Sequence, residues 1–391
     1  MRSTFALLDD CQYRLKAAAA LLSVSENTLR TYVKDSGIEI KRATADNPNS
    51  PAVRIFTLDN IFQLAAWRRK QGLIKPLSAT PICIAVELIK GGTGKSTTTA
   101  EIGIQLQLSG YRVLMIDLDV QANLTQLMGY ESDLEDGEAA TNDLNSDAIV
   151  HGTFAEVVKP YLENSRPGAN KMDDISHYIK WPFGADGPAL IPSDTFLGDL
   201  EHAIVATRDT RELVFRSFFR ASTEGKIPGL NVKDFDFVLF DCPPSISFVA
   251  SNAIAVSDYI IAPVKMDSFG VKGVSRLVGE INYIQSKSGQ QPELIILPTH
   301  YSSNVSRVAR MSQKLQTYKD NLPDMSISSS ELFPKSQEYY MPLTLQQPTS
   351  APVKEYRKFT DFLLQKIGAK EYAAAKEAAA KEAAAARSVA A

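Results

Sequence analysis

Cysteine is scarce in this chain, and the three that occur, Cys11, Cys83 and Cys242, are too far apart for a disulfide framework or a thiolate metal site. Their spacing fits a reducing compartment, and the cytoplasm is the expected location. Histidine is nearly as rare: His151, His177, His202 and His300 form no ligand constellation. No apolar run is long enough to span a membrane, and Asp9 and Asp10 near the amino terminus argue against a secretory leader. Net charge of one sign is also lacking, the 391 residues summing to −3. That balance is uneven. Residues 1–75 carry 12 Lys and Arg against 7 Asp and Glu, so a basic head precedes an acidic body. With 44% hydrophobic and 22% charged residues, the chain has the composition of a soluble protein with room for two domains.

The most informative segment is Lys90-Gly91-Gly92-Thr93-Gly94-Lys95-Ser96. Before it, Ile82 to Ile89 is an apolar, β-branched run expected to be a buried parallel strand. After it, Ser96 to Leu108 carries helix formers with Ile102, Ile104, Leu106 and Leu108 as its apolar residues. Strand, glycine loop and helix form a phosphate cradle, in which backbone N–H groups and the helix start face an anion. Lys95 is expected to reach the β- and γ-phosphates, Ser96 to ligate Mg²⁺, and Gly91, Gly92, Thr93, Gly94 and Thr97 to line the nucleotide site. The ordinary loop needs glycine where this chain has Ile89. The variant K-G-G-x-G-K-[ST] fits in full. Lys90, on the far side of the loop, makes most sense if it reaches a nucleotide held by a second subunit.

Two further strands end in carboxylates. Tyr111 to Ile116 feeds Asp117-Leu118-Asp119-Val120-Gln121, at the carboxyl edge where open α/β sheets bind ligands. Asp119, in the loop, is the candidate to hold an attacking water, with a strand-end capping role as the alternative. Asp117, nearer the sheet, could orient the Mg²⁺ shell. Phe237-Val238-Leu239-Phe240 leads into Asp241-Cys242-Pro243-Pro244, a Walker-B arrangement whose aspartate reaches Mg²⁺ through water.

These three segments resemble the deviant Walker A ATPases of the ParA/MinD group. Similarity continues through Leu190-Ile191-Pro192-Ser193, Ala262-Pro263-Val264 and Ile296-Leu297-Pro298-Thr299, covering roughly residues 80–368. The family usually has proline where Val120 stands. The resemblance implies a mostly parallel P-loop sheet flanked by helices, a nucleotide-sandwich homodimer, ATP and Mg²⁺ as cofactors, and weak intrinsic ATP hydrolysis. It implies that Lys90 acts across the dimer, Lys95 on the phosphates and Asp119 on water, with Ser96, Asp117 and Asp241 around the metal. Adenine would lie against Pro298 and Thr299. The nearest match to a guanine-reading motif, Val264-Lys265-Met266-Asp267, lacks the asparagine, so ATP is favoured.

The basic head has its own pattern. Leu15 to Leu22 is a short helix, Ser23-Val24-Ser25 a turn and Glu26 to Lys34 a second helix ending near Gly37. On the second helix Leu29 and Val33 face inward while Asn27, Thr28, Arg30, Thr31 and Lys34 face out, as a helix entering the major groove would require. Val53 to Phe56 adds a wing-like strand, and Leu58 to Gln71 a third helix. The segment resembles a MerR-like winged helix-turn-helix, the alternative being a helical hairpin used for dimerisation.

The expected organisation is thus a DNA-binding domain at 1–75, a linker at 76–81, an ATPase domain at 82–368 and an alanine-rich helical tail at 369–391. Glu131 to Asp147, with seven acidic residues and no basic ones, reads as a solvated insertion. Arg307, Arg310 and Lys314, then Lys354, Arg357 and Lys358, form basic clusters that could hold DNA without sequence preference, or simply face solvent. The tail repeats Lys-Glu-Ala-Ala-Ala and lacks the apolar face of a membrane anchor. The resemblance implies a plasmid partition ATPase associated with the nucleoid. Its dimer would bind DNA nonspecifically, a ParB-like centromere-binding partner would stimulate hydrolysis, and the helix-turn-helix would repress its own operon at an operator. The rival is an ATP-responsive transcriptional repressor with no segregation role.

Overall fold

The computed structural model describes residues 4, 8, 11–43, 52–132, 134, 137–138, 148–164, 172–207, 210–301, 310 and 313–389. Strand β1, Gln12–Tyr13, is followed by α1, Leu15–Leu21, and α2, Glu26–Ser36. Ser25 caps α2 by accepting from Thr28 N at 3.0 Å, and Gly37, at φ 68°, ends it in the left-handed conformation that glycine adopts without strain. Strands β2, Arg42–Ala43, and β3, Val53–Arg54, pair antiparallel, and β4, Phe56–Thr57, pairs with β1. Helix α3, Leu58–Lys70, opens with a capping box between Thr57 and Asn60. Leu29 and Val33 are buried and the polar positions of α2 point outward, the faces expected from their spacing.

The larger unit is a six-stranded parallel sheet. Its strands are β5, Ile82–Val86; β6, Val113–Asp117; β7, Ala189–Ile191; β8, Phe237–Asp241; β9, Tyr259–Lys265; and β10, Glu293–Thr299. Their order across the sheet is β10-β9-β5-β8-β6-β7, every neighbouring pair parallel. The strands are apolar on both faces because both are covered, and each face has its own hydrophobic cluster. Helix α4, Lys95–Leu108, lies on one face. It packs so closely on β6 that a Cβ at Gly103 would sit 2.5 Å from Met115 Sδ. The helix Ala351–Val389 runs without a break from the ATPase unit through the alanine-rich segment, so the expected boundary at residue 369 falls inside one helix.

The head and the sheet share a core. One cluster runs from Leu21, Leu29 and Phe62 to Ile84, Leu106 and Phe359, and Leu77 of the expected linker packs against it. Polar contacts tie the same seam. Arg68 of α3 donates to the carbonyls of Leu22 at 2.9 Å, Leu108 at 3.4 Å and Ser109 at 3.1 Å. Arg69 grips Asp236 through both carboxylate oxygens, and Tyr13 Oη donates to Leu345 O at 2.5 Å. A carbonyl buried at such a seam needs a donor, and these side chains supply it.

Candidate functional site

The phosphate loop joins β5 to α4 at the carboxyl edge of the sheet. Gly92 and Gly94 hold φ of 68° and 88°, which lets successive backbone N–H groups turn toward one point. Lys95 is buried, its Nζ donating to Leu88 O at 3.3 Å and Lys90 O at 3.1 Å. Both acceptors are neutral carbonyls, weaker partners than phosphate oxygens. Thr299 Oγ1 donates to Thr93 O at 3.0 Å and so pins the loop to the end of β10.

Three carboxyl groups converge behind this loop. Asp117 and Asp241 sit opposite each other in the β6–β8 register, both fully buried. Asp117 accepts from Asp119 N at 3.1 Å, Thr125 N at 2.9 Å and Thr125 Oγ1 at 2.8 Å. Burial pushes its carboxyl up to about 7, against the pull of those hydrogen bonds. Asp241 accepts from Thr99 Oγ1 at 3.3 Å through Oδ1, while its Oδ2 has no hydrogen-bond partner. Its proton affinity is raised by burial first and by the Asp117 charge second, with Ser96 and Lys95 pulling the other way. An orphaned buried carboxylate oxygen beside Ser96 suits Mg²⁺ and its water shell, which would satisfy it. The three donors to Asp117 also shape the loop that carries Asp119.

That loop is compact. Asp119 is buried, accepts from Gln121 N at 3.1 Å through Oδ1, and leads to Ala122 at φ 51° and the short helix α5, Asn123–Leu127. Val120 is exposed. Ser193 N donates to Thr125 Oγ1 at 2.8 Å, tying the Leu190–Ser193 motif to the same loop.

Sequence reasoning missed several neighbours. Glu87, in the last apolar run before the loop, is buried with neither carboxyl oxygen hydrogen-bonded in regular geometry. Burial pushes it up to about 8, with the Lys95 charge opposing. His300, at φ 50°, lies 3.9 Å from where a Gly94 Cβ would stand, and burial and the Lys265 charge lower its proton affinity. Lys90 Nζ meets Asp267 Oδ1 and Oδ2 at 2.7 and 2.8 Å. An apolar run masks Glu87, and no local pattern announces a partner for Lys90 so distant in sequence.

A cavity of about 280 Å³ adjoins Gly92, Gly94 and Thr97, with Thr299, His300 and Tyr356 on its walls. Its size and its place beside the loop suit a nucleoside. Pro298, expected beside the base, instead lines a separate open cavity with Met266 and Tyr301, and its carbonyl accepts from Ile327 N at 2.8 Å. A larger cavity of about 470 Å³ lies under α3 at the opposite edge of the sheet, far from any phosphate loop.

The expected DNA-contacting residues are scattered. Asn27, Arg30, Thr31 and Lys34 are exposed on α2 and Thr28 half-buried, with Arg30 bonded to Asn27 Oδ1 at 2.9 Å. Arg310, Lys314, Lys354 and Lys358 are exposed, and Arg307 lies outside the described residues. Arg357 is a correction. Its Nη2 donates to Leu21 O at 3.1 Å, and burial lowers it to about 10, so it belongs to the seam between head and sheet. Among the described residues no cluster of His, Cys, Asp and Glu has the form of a metal site, and no helix is long and apolar enough to cross a membrane.

Comparison with known proteins agrees with this geometry. Residues 82–296 match an AAA domain family model. A ParA family protein of Chlamydia pneumoniae is 30% identical over 218 residues, covering 54% of this chain and 69% of its own length. The chromosome partitioning protein ParA of Myxococcus xanthus is 25% identical over 240 residues, 61% of this chain and 70% of that protein. Among solved structures, cobyrinic acid a,c-diamide synthase of Mycobacterium smegmatis, with bound ATP analogue and magnesium, superposes with a TM-score of 0.51 at 25% identity, covering 73% of this chain and 95% of that one. The parallel sheet, the two-lysine loop and the carboxylates behind it therefore belong to a member of the ParA family.

Proposed function

We propose that this protein is a DNA partition ATPase of plasmid type. The observation that carries the reading is the division of labour within one loop: Lys95 is folded into the cradle, while the Lys90 ammonium pairs with Asp267. A single nucleotide needs only the first lysine; the second is arranged for a nucleotide brought by another copy.

In this reading ATP binds with its triphosphate over Gly91–Thr97 and its base near Thr299. Lys95 exchanges the Leu88 and Lys90 carbonyls for phosphate oxygens. Ser96, and Asp241 through water, would hold Mg²⁺, which when bound would supply positive charge against the phosphoryl oxygens. Asp119 orients the attacking water and takes its proton, while the loop anchored by Asp117 keeps it in place. Lys90 of each copy then stabilises the other copy's nucleotide, closing a homodimer. A lysine is a weaker transition-state clamp than a bidentate arginine, which suits slow turnover that a ParB-like partner accelerates. The closed dimer holds DNA nonspecifically through surfaces that include Arg310 and Lys354. Between cycles α2 and the β2–β3 hairpin read the operator, the basic head supplying the charge.

The test is Asp119→Ala. We expect it to bind ATP, dimerise and stay on DNA, while turnover falls at least about 100-fold and plasmids are lost. Unchanged plasmid inheritance would leave the rival reading, a repressor that uses ATP only as a conformational ligand.

A further inference from the structure

Asp267 failed as part of a guanine-reading motif, yet it occupies a telling place. It sits between β9 and the helix Ser268–Ser288, where its Oδ1 accepts from Gly270 N at 2.9 Å. Both of its oxygens also meet Lys90 Nζ, in a pair about one-fifth exposed. The backbone of Lys90 is engaged as well. Its N–H donates to Leu88 O at 2.6 Å, and its carbonyl accepts from Lys95 Nζ. One residue thus links the two lysines. The side chain is held by Asp267 and the carbonyl by Lys95.

We propose that Asp267 is a positioning residue for Lys90, parking its ammonium within its own subunit until the triphosphate of a second copy claims it. This rests on the partition reading, in which Lys90 serves the other subunit. The logic is competitive. A carboxylate and a triphosphate are both anions, and Lys90 cannot satisfy both at once. When Lys95 turns to its own nucleotide, the Lys90 carbonyl loses that donor, so filling the cradle loosens the peptide that carries the parked side chain. Occupancy of one site therefore readies the lysine for the other. Asp267 also sets how much ATP is needed before two copies close, because breaking the pair is part of the closing equilibrium. His300 lies close enough to feel the charges of both Asp267 and Lys90.

Asp267→Asn keeps an oxygen for Gly270 N and removes the charge that holds Lys90. Two readouts on the full chain decide the matter. The first is sedimentation against ATP concentration. The variant is expected to dimerise at about 5- to 10-fold less ATP than the wild type, Asp267→Glu to fall between them, and the Asn substitution to have no effect in a Lys90→Gln background. The second is acylation of nucleotide-free protein with acetic anhydride, quantified at Lys90 by mass spectrometry. Lys90 is expected to react several-fold faster in Asp267→Asn, with Lys354 as the internal reference. A wild type that dimerises with ATP, beside a variant with the same midpoint and the same Lys90 reactivity, overturns the parking role alone. A wild type that stays monomeric at saturating ATP overturns the partition reading together with it.

Discussion

The two edges of the sheet treat buried charge in opposite ways. At the amino edge, under the head, Asp236 accepts from Arg69 and from Arg112 N at 2.7 Å, and Arg68 meets three carbonyls. At the carboxyl edge, Asp241 Oδ2 and both oxygens of Glu87 have no hydrogen bond of regular geometry among the described residues. Proton affinities follow. Burial would raise Asp236, but the Arg69 hydrogen bond and charge override it and hold its carboxyl below the usual range. Burial raises Glu87 to about 8, the Lys95 charge and the Cys242 thiol offsetting it only in part. The seam under the head is satisfied by the protein's own side chains; the phosphate loop's surroundings leave polar atoms for something else to complete. Unpaired buried polar groups are costly, and those of Glu87, Thr93 and Asp241 beside the phosphate loop suit a site kept ready for a ligand.

The strongest way to break this contrast is to unfinish the amino edge. Arg68→Ala leaves the Leu22, Leu108 and Ser109 carbonyls without their donor and opens a gap in the seam. We expect a loss of about 3 kcal/mol in urea unfolding. A loss below about 0.5 kcal/mol would show that the seam is not what joins head and sheet.

Glu87→Gln tests the other edge, with an effect of similar or smaller size and a defined pH signature. The Glu87 proton affinity is raised on folding, so its contribution is fully present below pH 4.5 and is lost as pH climbs toward 8. The glutamine variant has no such loss. Its advantage over the wild type should be small at pH 5 and grow steadily toward pH 8. A pH-independent difference would mean that Lys95 and Cys242 together offset the effect of burial on Glu87.

The smallest expected effect separates two neighbours on one helix. Lys354→Ala should weaken nonspecific DNA binding by the dimer several-fold and lower the salt slope by about one ion. Arg357→Ala should instead lower stability by about 1 to 2 kcal/mol, through the loss of the donor to Leu21 O. The reverse pattern would move Arg357 from the seam to the DNA surface.

The contrast also explains what the sequence disclosed. The loop Lys90–Ser96, the strands before it and after it, and the capped helices of the head are written in local spacing and end signals, so their positions follow closely from pattern. Even the inward turn of Leu29 and Val33 is a matter of helical period. What escaped depends on residues distant along the chain. Arg357 sits in a basic cluster that looks like a DNA surface until Leu21 is folded against it. Pro298 and Thr299 are adjacent in sequence, yet they line different cavities because successive strand residues face opposite sides. The break at residue 369 reflected a change of composition, and helix geometry does not register such a change when every residue favours helix.

Arg68 and Arg357, from two different helices, hold the carbonyls of Leu22 and Leu21 at the bend between α1 and α2. A hinge bolted at its pivot passes rotation on instead of damping it. A tilt of the helix that carries Arg357 would then reach the turn before α2 directly, through a single hydrogen bond to Leu21 O.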